Sequence, residues 1–246
     1  MTHPLILKLS CFTTMTEAER AQLHAVLSKR VRTFDGRQEL LSQNTTPAQI
    51  FVLIDGWAYR YKTLPDGRRQ IVSLLLPGDL CDSHMFILAR MDHSIATLSS
   101  VTVSELGHEA FHELLADAPG LTRAFWWDTL VSASIQREWT LNIGRRDASE
   151  RMAHLFVEIL LRLRSVGRAG RGSFDIPATQ SDIADALGIT TVHANRTLQG
   201  MRAAGLILFE KRQLTVLDLD GLKRLAKFDP RYLHFEQDGR QPIVMT

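Results

Sequence analysis

The apolar positions along this chain change their period several times. Near the N-terminus they fall at helical spacing. Residues 10–32 are expected to form a helix, with Thr16 as N-cap, Glu19 at the capping-box position, and Leu23, Val26 and Leu27 on one stripe. From Phe34 to about Leu106 the pattern shortens to β-type runs divided by turn residues. Ile50–Ile54 ends at Asp55-Gly56, Trp57–Leu64 at Pro65-Asp66-Gly67, and Arg69–Leu76 at Pro77-Gly78-Asp79; Ser94–Leu106 follows after a gap. Regular runs separated by Asp-Gly and Pro-Gly turns predict an antiparallel sandwich, roll or barrel. The polar face of its hairpin Tyr59–Gln70 carries Arg60, Lys62, Arg68 and Arg69.

After Gly107 the helical period returns. His108–Ala116 is expected to be a short helix stopped by Ala118-Pro119-Gly120, and Leu121 to about Asn142 a long one of roughly 33 Å at 1.5 Å per residue. The long helix is apolar on more than one side, so it wants two neighbours. One is its own sheet domain; a second copy of the same helix is the economical candidate for the other, through Phe125, Trp127, Val131, Ile135 and Trp139. The alternative is a fully buried core helix. Asn142–Asp147 breaks the pattern and serves as domain boundary and hinge, 148–165 is a further amphipathic helix, and Gly167–Gly172 is a flexible basic loop. This gives a sensor domain over 1–120, a dimerisation helix over 121–143 and a final domain over 144–246. In the tail Asp229–Thr246, Tyr232, Leu233 and Phe235 are expected to pack rather than float.

Residues 179–205 carry the most specific pattern. Thr179 can cap a helix whose inward set is Ile183, Ala184 and Leu187; Gly188 permits a tight turn; Thr190 caps a second helix with Ala194, Leu198 and Met201 inward, and Gly205 ends it. Two short helices joined by a Gly-containing turn form a helix-turn-helix, and Ala184 and Ala194 let them cross closely. Thr191, Val192, Asn195, Arg196 and Gln199 then share one outward face. Arg can bond guanine bidentately, and Asn or Gln can bond adenine. Leu206–Phe209, the turn Glu210-Lys211-Arg212 and Gln213–Leu217 add a hairpin with a basic tip, placing Lys211 and Arg212 where backbone phosphate would be gripped. An ordinary helical hairpin is the bland alternative.

Composition narrows the class. The 246 residues are 45% hydrophobic and 23% charged, which suits a globular chain of one large or two small domains. No run of 18 apolar residues is present, so no membrane partner is expected, and the N-terminal apolar stretch is too short for a signal peptide. Cys11 and Cys81, the two cysteines, are too few for a disulfide framework or a four-cysteine iron–sulfur site, which favours the cytoplasm. The net charge of +2 divides unevenly: residues 1–143 hold 13 basic and 15 acidic side chains, residues 144–246 hold 16 and 12. The C-terminal part therefore leans toward a polyanion.

These features together resemble the CRP/FNR family of transcription regulators over essentially the whole chain. The resemblance runs through Gly36, Asp55-Gly56-Trp-Ala-Tyr-Arg-Tyr, Asp66-Gly67-Arg and Leu-Pro77-Gly78-Asp79, then the long helix and Thr179–Ile207. It implies an α+β protein: an N-terminal antiparallel β-roll (jelly-roll-like) sensor domain, a long central dimerisation helix, and a C-terminal winged helix-turn-helix. The implied function is a non-enzymatic, homodimeric regulator binding a pseudo-palindrome in double-stranded DNA, with RNA polymerase a further candidate partner. Arg196 falls on the family's base-reading arginine, while Thr191 and Val192 stand where many members have Arg and Glu. Thr179, Gln180, Ser181, Thr190 and His193 fall on or near backbone-contacting positions.

The corresponding effector stretch is Leu80, Cys81, Asp82 and Ser83, with His93 and Ser94 later. The Gly-Glu pair of cyclic-nucleotide-binding members is missing and no Arg precedes Ser94, so a buried cyclic phosphate would lack its counter-cation. This argues against a cyclic nucleotide and leaves another small molecule as the candidate effector; no cofactor is expected. The iron–sulfur cysteine cluster of oxygen-sensing members is also missing. One competing motif stands apart: His108-Glu109-Ala110-Phe111-His112 matches the zinc-peptidase pattern, giving a zinc-dependent hydrolase using His108, Glu109 and His112 as the alternative function. Three fixed positions in a chain with nine histidines arise readily by chance.

Overall fold

The computed structural model describes residues 2–81, 90–170 and 172–235. The chain divides into two compact units: one of Met1–Arg60, Leu74–Ile135 and the stretch from Arg231, the other of Tyr61–Ser73 and Gln136–Pro230.

The first unit opens with helix α1 (Pro4–Ser10), followed by α2 (Glu17–Leu27). The helix expected over 10–32 is therefore shorter, Glu17–Leu27, and α1 is a separate helix before it that the pattern did not announce. Thr16 takes an extended conformation to cap α2, its hydroxyl accepting from the Glu19 amide while the Glu19 carboxylate accepts from the Thr16 amide, so the chain before it cannot continue the same helix. Strands β1 (Val31–Phe34), β2 (Glu39–Leu41), β3 (Gln49–Asp55), β4 (Ala58–Thr63), β5 (Arg69–Leu75), β6 (Leu80–Cys81), β7 (Ser94–Thr97) and β8 (Val101–Gly107) follow. They form two four-stranded sheets, ordered β1-β8-β3-β6 and β2-β7-β4-β5. The antiparallel register Ile50↔Leu106 and Leu53↔Val103 slips between Leu53 and Asp55. There Gly56 turns the chain at φ +77°, where any side chain would collide with the Ser100 carbonyl oxygen.

Strand alternation sends Phe51, Leu53 and Val103 into one core with Cys81 and Ile95. Ile50, Val52 and Leu106 enter another with α1, α2 and Phe125. Phe235 stacks on Phe12 at 6.3 Å and Leu233 is fully buried, so the described part of the tail packs as expected.

Helix α3 (His108–Asp117) leads into α4 (Pro119–Arg145). The break expected at Asn142–Asp147 is confined to Arg146-Asp147: α4 runs on through Gly144, and the Asp147 side chain caps α5 (Ala148–Ser165) by accepting from the Ser149 and Glu150 amides.

The second unit continues with β9 (Ser173–Asp175), α6 (Gln180–Leu187), α7 (Thr191–Ala203), β10 (Ile207–Glu210), β11 (Gln213–Val216) and α8 (Leu219–Ala226). Its sheet has the order β10-β11-β9. Glu210 pairs with Gln213, so the expected three-residue turn is a two-residue one, Lys211-Arg212, both at positive φ. That is the hairpin geometry whose twist matches its strands. Strand β9 went unread in the sequence because its three residues follow a Gly-rich loop and show no alternating run.

Candidate nucleic-acid interface

The helix-turn-helix is built by local caps. The Thr179 hydroxyl donates to Asp182 Oδ2 at 2.7 Å, and its amide donates to the same oxygen at 2.8 Å. Gly188 ends α6 in the left-handed region (φ +63°), and Thr190 Oγ1 accepts from the His193 amide at 3.2 Å to start α7. Ile183, Ala184, Leu187, Ala194, Leu198 and Met201 are buried as the periodicity requires.

Asp182 is itself 2% exposed, and a second group meets its charge. Arg69, in the hairpin segment Tyr61–Ser73 of the same compact unit, donates to Asp182 Oδ1 at 2.9 Å and to Asp185 Oδ2 at 2.6 and 2.8 Å. No local pattern announces this pairing, because 113 residues separate Arg69 from Asp182. It neutralises two carboxylates on α6 that would otherwise repel a polyanion.

What remains outward is the polar face. Thr179, Ser181, Thr190, Thr191, Val192, Asn195, Arg196 and Gln199 are exposed; Gln180 and His193 are half-buried. Asn195 Nδ2 donates to Gln180 Oε1 at 2.9 Å, tying the two helices across that face. Lys211 and Arg212 are exposed at the hairpin tip.

The dimer set requires correction. Phe125 (6% exposed), Val131 (3%) and Trp139 (4%) are covered by the chain's own packing, and Trp127 and Ile135 are half-buried against a core cluster. Trp139 donates its indole N–H to both Glu158 oxygens at 3.1 and 3.2 Å. The exposed side chains of α4 include a different stripe, Trp126, Leu130, Ala133, Arg137 and Thr140, with Leu141 and Ile143 also open near its C-terminal end. A helix apolar on two sides does not reveal from sequence which stripe its own domain takes.

Among the described residues, the expected effector positions Leu80, Cys81, His93 and Ser94 have separate partners. Leu80 and Cys81 are consecutive strand residues and enter the two different cores. Ser94 Oγ accepts from the Gln43 amide at 3.0 Å, and His93 Nδ1 lies 2.6 Å from Asp92 Oδ1. Asp82 and Ser83 lie outside the described residues. The Leu-Pro-Gly-Asp turn ends in a buried ion cluster instead: Asp79 accepts from the Leu76 amide at 2.7 Å and from Lys8 Nζ at 2.7 Å, and Asp128 lies 2.6 Å from the same ammonium. Burial pulls the Lys8 pKa down, but the charges of Asp128 and Asp79 and their hydrogen bonds outweigh it, leaving the value raised.

His108 and His112 sit one helical turn apart with ring centroids at 4.5 Å, and His108 and Glu109 edge a groove of about 460 Å³ shared with Lys29, Arg30 and Glu105. Among the described residues no three His, Cys, Asp or Glu side chains converge to hold a metal, so the zinc-hydrolase alternative has no support. No described helix is long and apolar enough to cross a membrane.

The sequence matches the cyclic nucleotide-binding domain family over residues 31–118 and the Crp-like helix-turn-helix domain family over 150–225. It is 30% identical over 203 residues to the transcriptional activatory protein AadR of Rhodopseudomonas palustris, covering 81% of this chain and 82% of that one. The chain belongs to the CRP/FNR family of transcription regulators. It is also 28% identical over 200 residues to the nitrogen fixation regulation protein FixK of Bradyrhizobium diazoefficiens, with 81% and 83% covered. The structure of FixK2 from Bradyrhizobium japonicum superposes with a TM-score of 0.71 at 24% identity, over 80% of this chain and 96% of that one, and so shares the fold. The α+β architecture expected from the sequence is the one observed: antiparallel sheets, a long central helix and a winged helix-turn-helix.

Proposed function

We propose that this regulator acts in the cytoplasm as a homodimer on a pseudo-palindromic operator in double-stranded DNA. The observation that carries the reading is the solvent-facing row Thr191, Val192, Asn195, Arg196 and Gln199 on α7, with the basic tip Lys211-Arg212 in the same unit. Helix α7 enters the major groove, Arg196 reads a guanine, and Thr179, Gln180, Ser181, Thr190, His193, Lys211 and Arg212 hold the phosphate backbone. In a dimer, two such helices occupy successive major grooves about 34 Å apart.

Residues 1–120 act as the sensor, 121–143 as the dimerisation segment and 144–246 as the DNA-binding part. The partner copy covers the open stripe of α4, where Trp126 and Leu130 are each 61% exposed. The spacing 126, 130, 133, 137, 140 is that of a coiled-coil seam. RNA polymerase is the partner an activator on this operator would meet. A small molecule other than a cyclic nucleotide modulates the roll, and titrating metabolites against operator affinity distinguishes this from a constitutive binder.

Selecting bound sequences from random duplexes tests the reading. Enrichment of an inverted repeat with half-site centres about one helical turn apart is expected; no enrichment over input overturns it.

A further inference from the structure

Val192 is 81% exposed, more than any other large apolar side chain among the described residues. It lies in the first turn of α7, one residue after Thr191 and four before Arg196, and its exposed neighbours on that face are polar. As a β-branched residue in an exposed helical turn it adds no packing and is a poorer helix former than alanine. Single apolar side chains on a surface are ordinary, but this one stands where base edges are read. The methyl group that a major groove displays is the thymine C5-methyl.

The rest of the face narrows the readout. Asn195 donates one of its two amide N–H groups to Gln180 at 2.9 Å, which fixes the orientation of that side chain beside Val192. Arg196 is the charged member of this row, one helical turn from the apolar tip that Val192 presents. We infer that Val192 is a specificity-determining residue that packs on a thymine methyl in each half-site, next to the guanine read by Arg196. The inference rests on the DNA-binding reading above and adds the identity of one base to it.

The test replaces thymines of the selected operator one at a time with deoxyuridine, which removes the methyl and keeps the pairing edges. At one position per half-site the wild type should lose about fourfold in affinity, the worth of one buried methyl, and about fifteenfold with both half-sites replaced. Val192→Ala, which keeps the helix by circular dichroism, should bind the uracil and thymine duplexes equally at that position; Arg196→Ala should retain the uracil penalty. Equal binding of every uracil duplex by the wild type overturns the inference, as does an undiminished penalty in Val192→Ala. Failure to bind any selected duplex overturns the regulator reading instead, so the two failures are distinct.

Discussion

Asp79 closes the Leu-Pro-Gly-Asp turn and Asp182 closes the capping box of α6. They are alike in burial (6% and 2% exposed), in accepting a backbone amide, and in taking a cation from a distant part of the chain, Lys8 for one and Arg69 for the other. Their neighbours differ. Beside Asp79, Leu76, Leu80 and Cys81 are all buried, whereas beside Asp182, Thr179 and Ser181 face solvent and the turn leads into the open face of α7. A buried, fully partnered carboxylate is scaffold in both places. Function lies with what each scaffold leaves outside, and among the described residues the second leaves a row of donors and acceptors there.

The sharpest way to break this comparison is Lys8→Met. It keeps the apolar stem but leaves Asp79 and Asp128 buried without their cation. Removing one partner of a buried ion cluster costs about 3–5 kcal/mol, so thermal unfolding should fall by roughly 10 °C, while the operator selected by surviving protein stays the same. A change of a degree or less would show that the turn is not held by charge. Because the Lys8 pKa is raised in the fold, its contribution is fully present below the ordinary lysine value of 10.5 and is lost as pH rises above it.

Acid should act on both units through a different group in each. Burial, with a smaller push from Arg146, lowers the His154 pKa from 6.5 to about 3, although Glu138 Oε1 lies 3.3 Å from its Nε2. Burial, aided by His24, lowers that of His3 to about 4. Below pH 6.5 the unfolded chain takes up protons that the folded one refuses, so stability falls with pH until the folded values are reached. Between pH 7.5 and 4.5 each histidine should cost about 2–3 kcal/mol at 1.36 kcal/mol per pH unit. In melting curves across that range, His154→Phe should flatten part of the decline; an unchanged slope would remove His154 from the account.

The sequence was most legible where structure is local. Caps at Thr16, Thr179 and Thr190, the left-handed Gly188 and the inward set of α6 and α7 depend on residues within a few positions, and each stands as the pattern required. Long-range partners were not legible. Nothing near Arg69 announces Asp182, and nothing near Lys8 announces Asp79 and Asp128. The dimer stripe failed for a related reason: periodicity reports that α4 is apolar around its circumference, but tertiary packing decides that Phe125 and Val131 go inside and Trp126 and Leu130 stay out. The effector stretch was located by motif alone, and alternation along β6 then divided its described pair, Leu80 and Cys81, between two cores.

Arg196→Ala probes the outward face directly. Loss of one bidentate guanine contact should cost about 1–3 kcal/mol and relax preference at one position per half-site, with stability unchanged because the side chain is exposed. Repeating the sequence selection with the variant checks this; an identical selected motif would take Arg196 out of base reading. The contrast with Lys8→Met is the useful part, since one variant should lose stability and keep specificity while the other does the reverse.

The smallest expected effect belongs to the hairpin tip. Lys211 and Arg212 both stand at positive φ (49° and 66°), in a two-residue turn where Asn and Gly are the favoured residues. Two long basic side chains are thus retained in a conformation that charged residues adopt at a backbone cost, a reason to assign them a contact outside the chain. Lys211→Gly removes the cation and relieves the backbone together. Relief of φ and the added freedom of the unfolded chain oppose each other, so stability should stay within about 0.5 kcal/mol. DNA affinity should weaken to a similar degree for all sequences, and the slope of log affinity against log salt should fall by about 2 per dimer, one phosphate contact from each copy. An unchanged slope in a salt titration would place the tip away from the backbone and leave the reading of DNA to α7 and the caps around it.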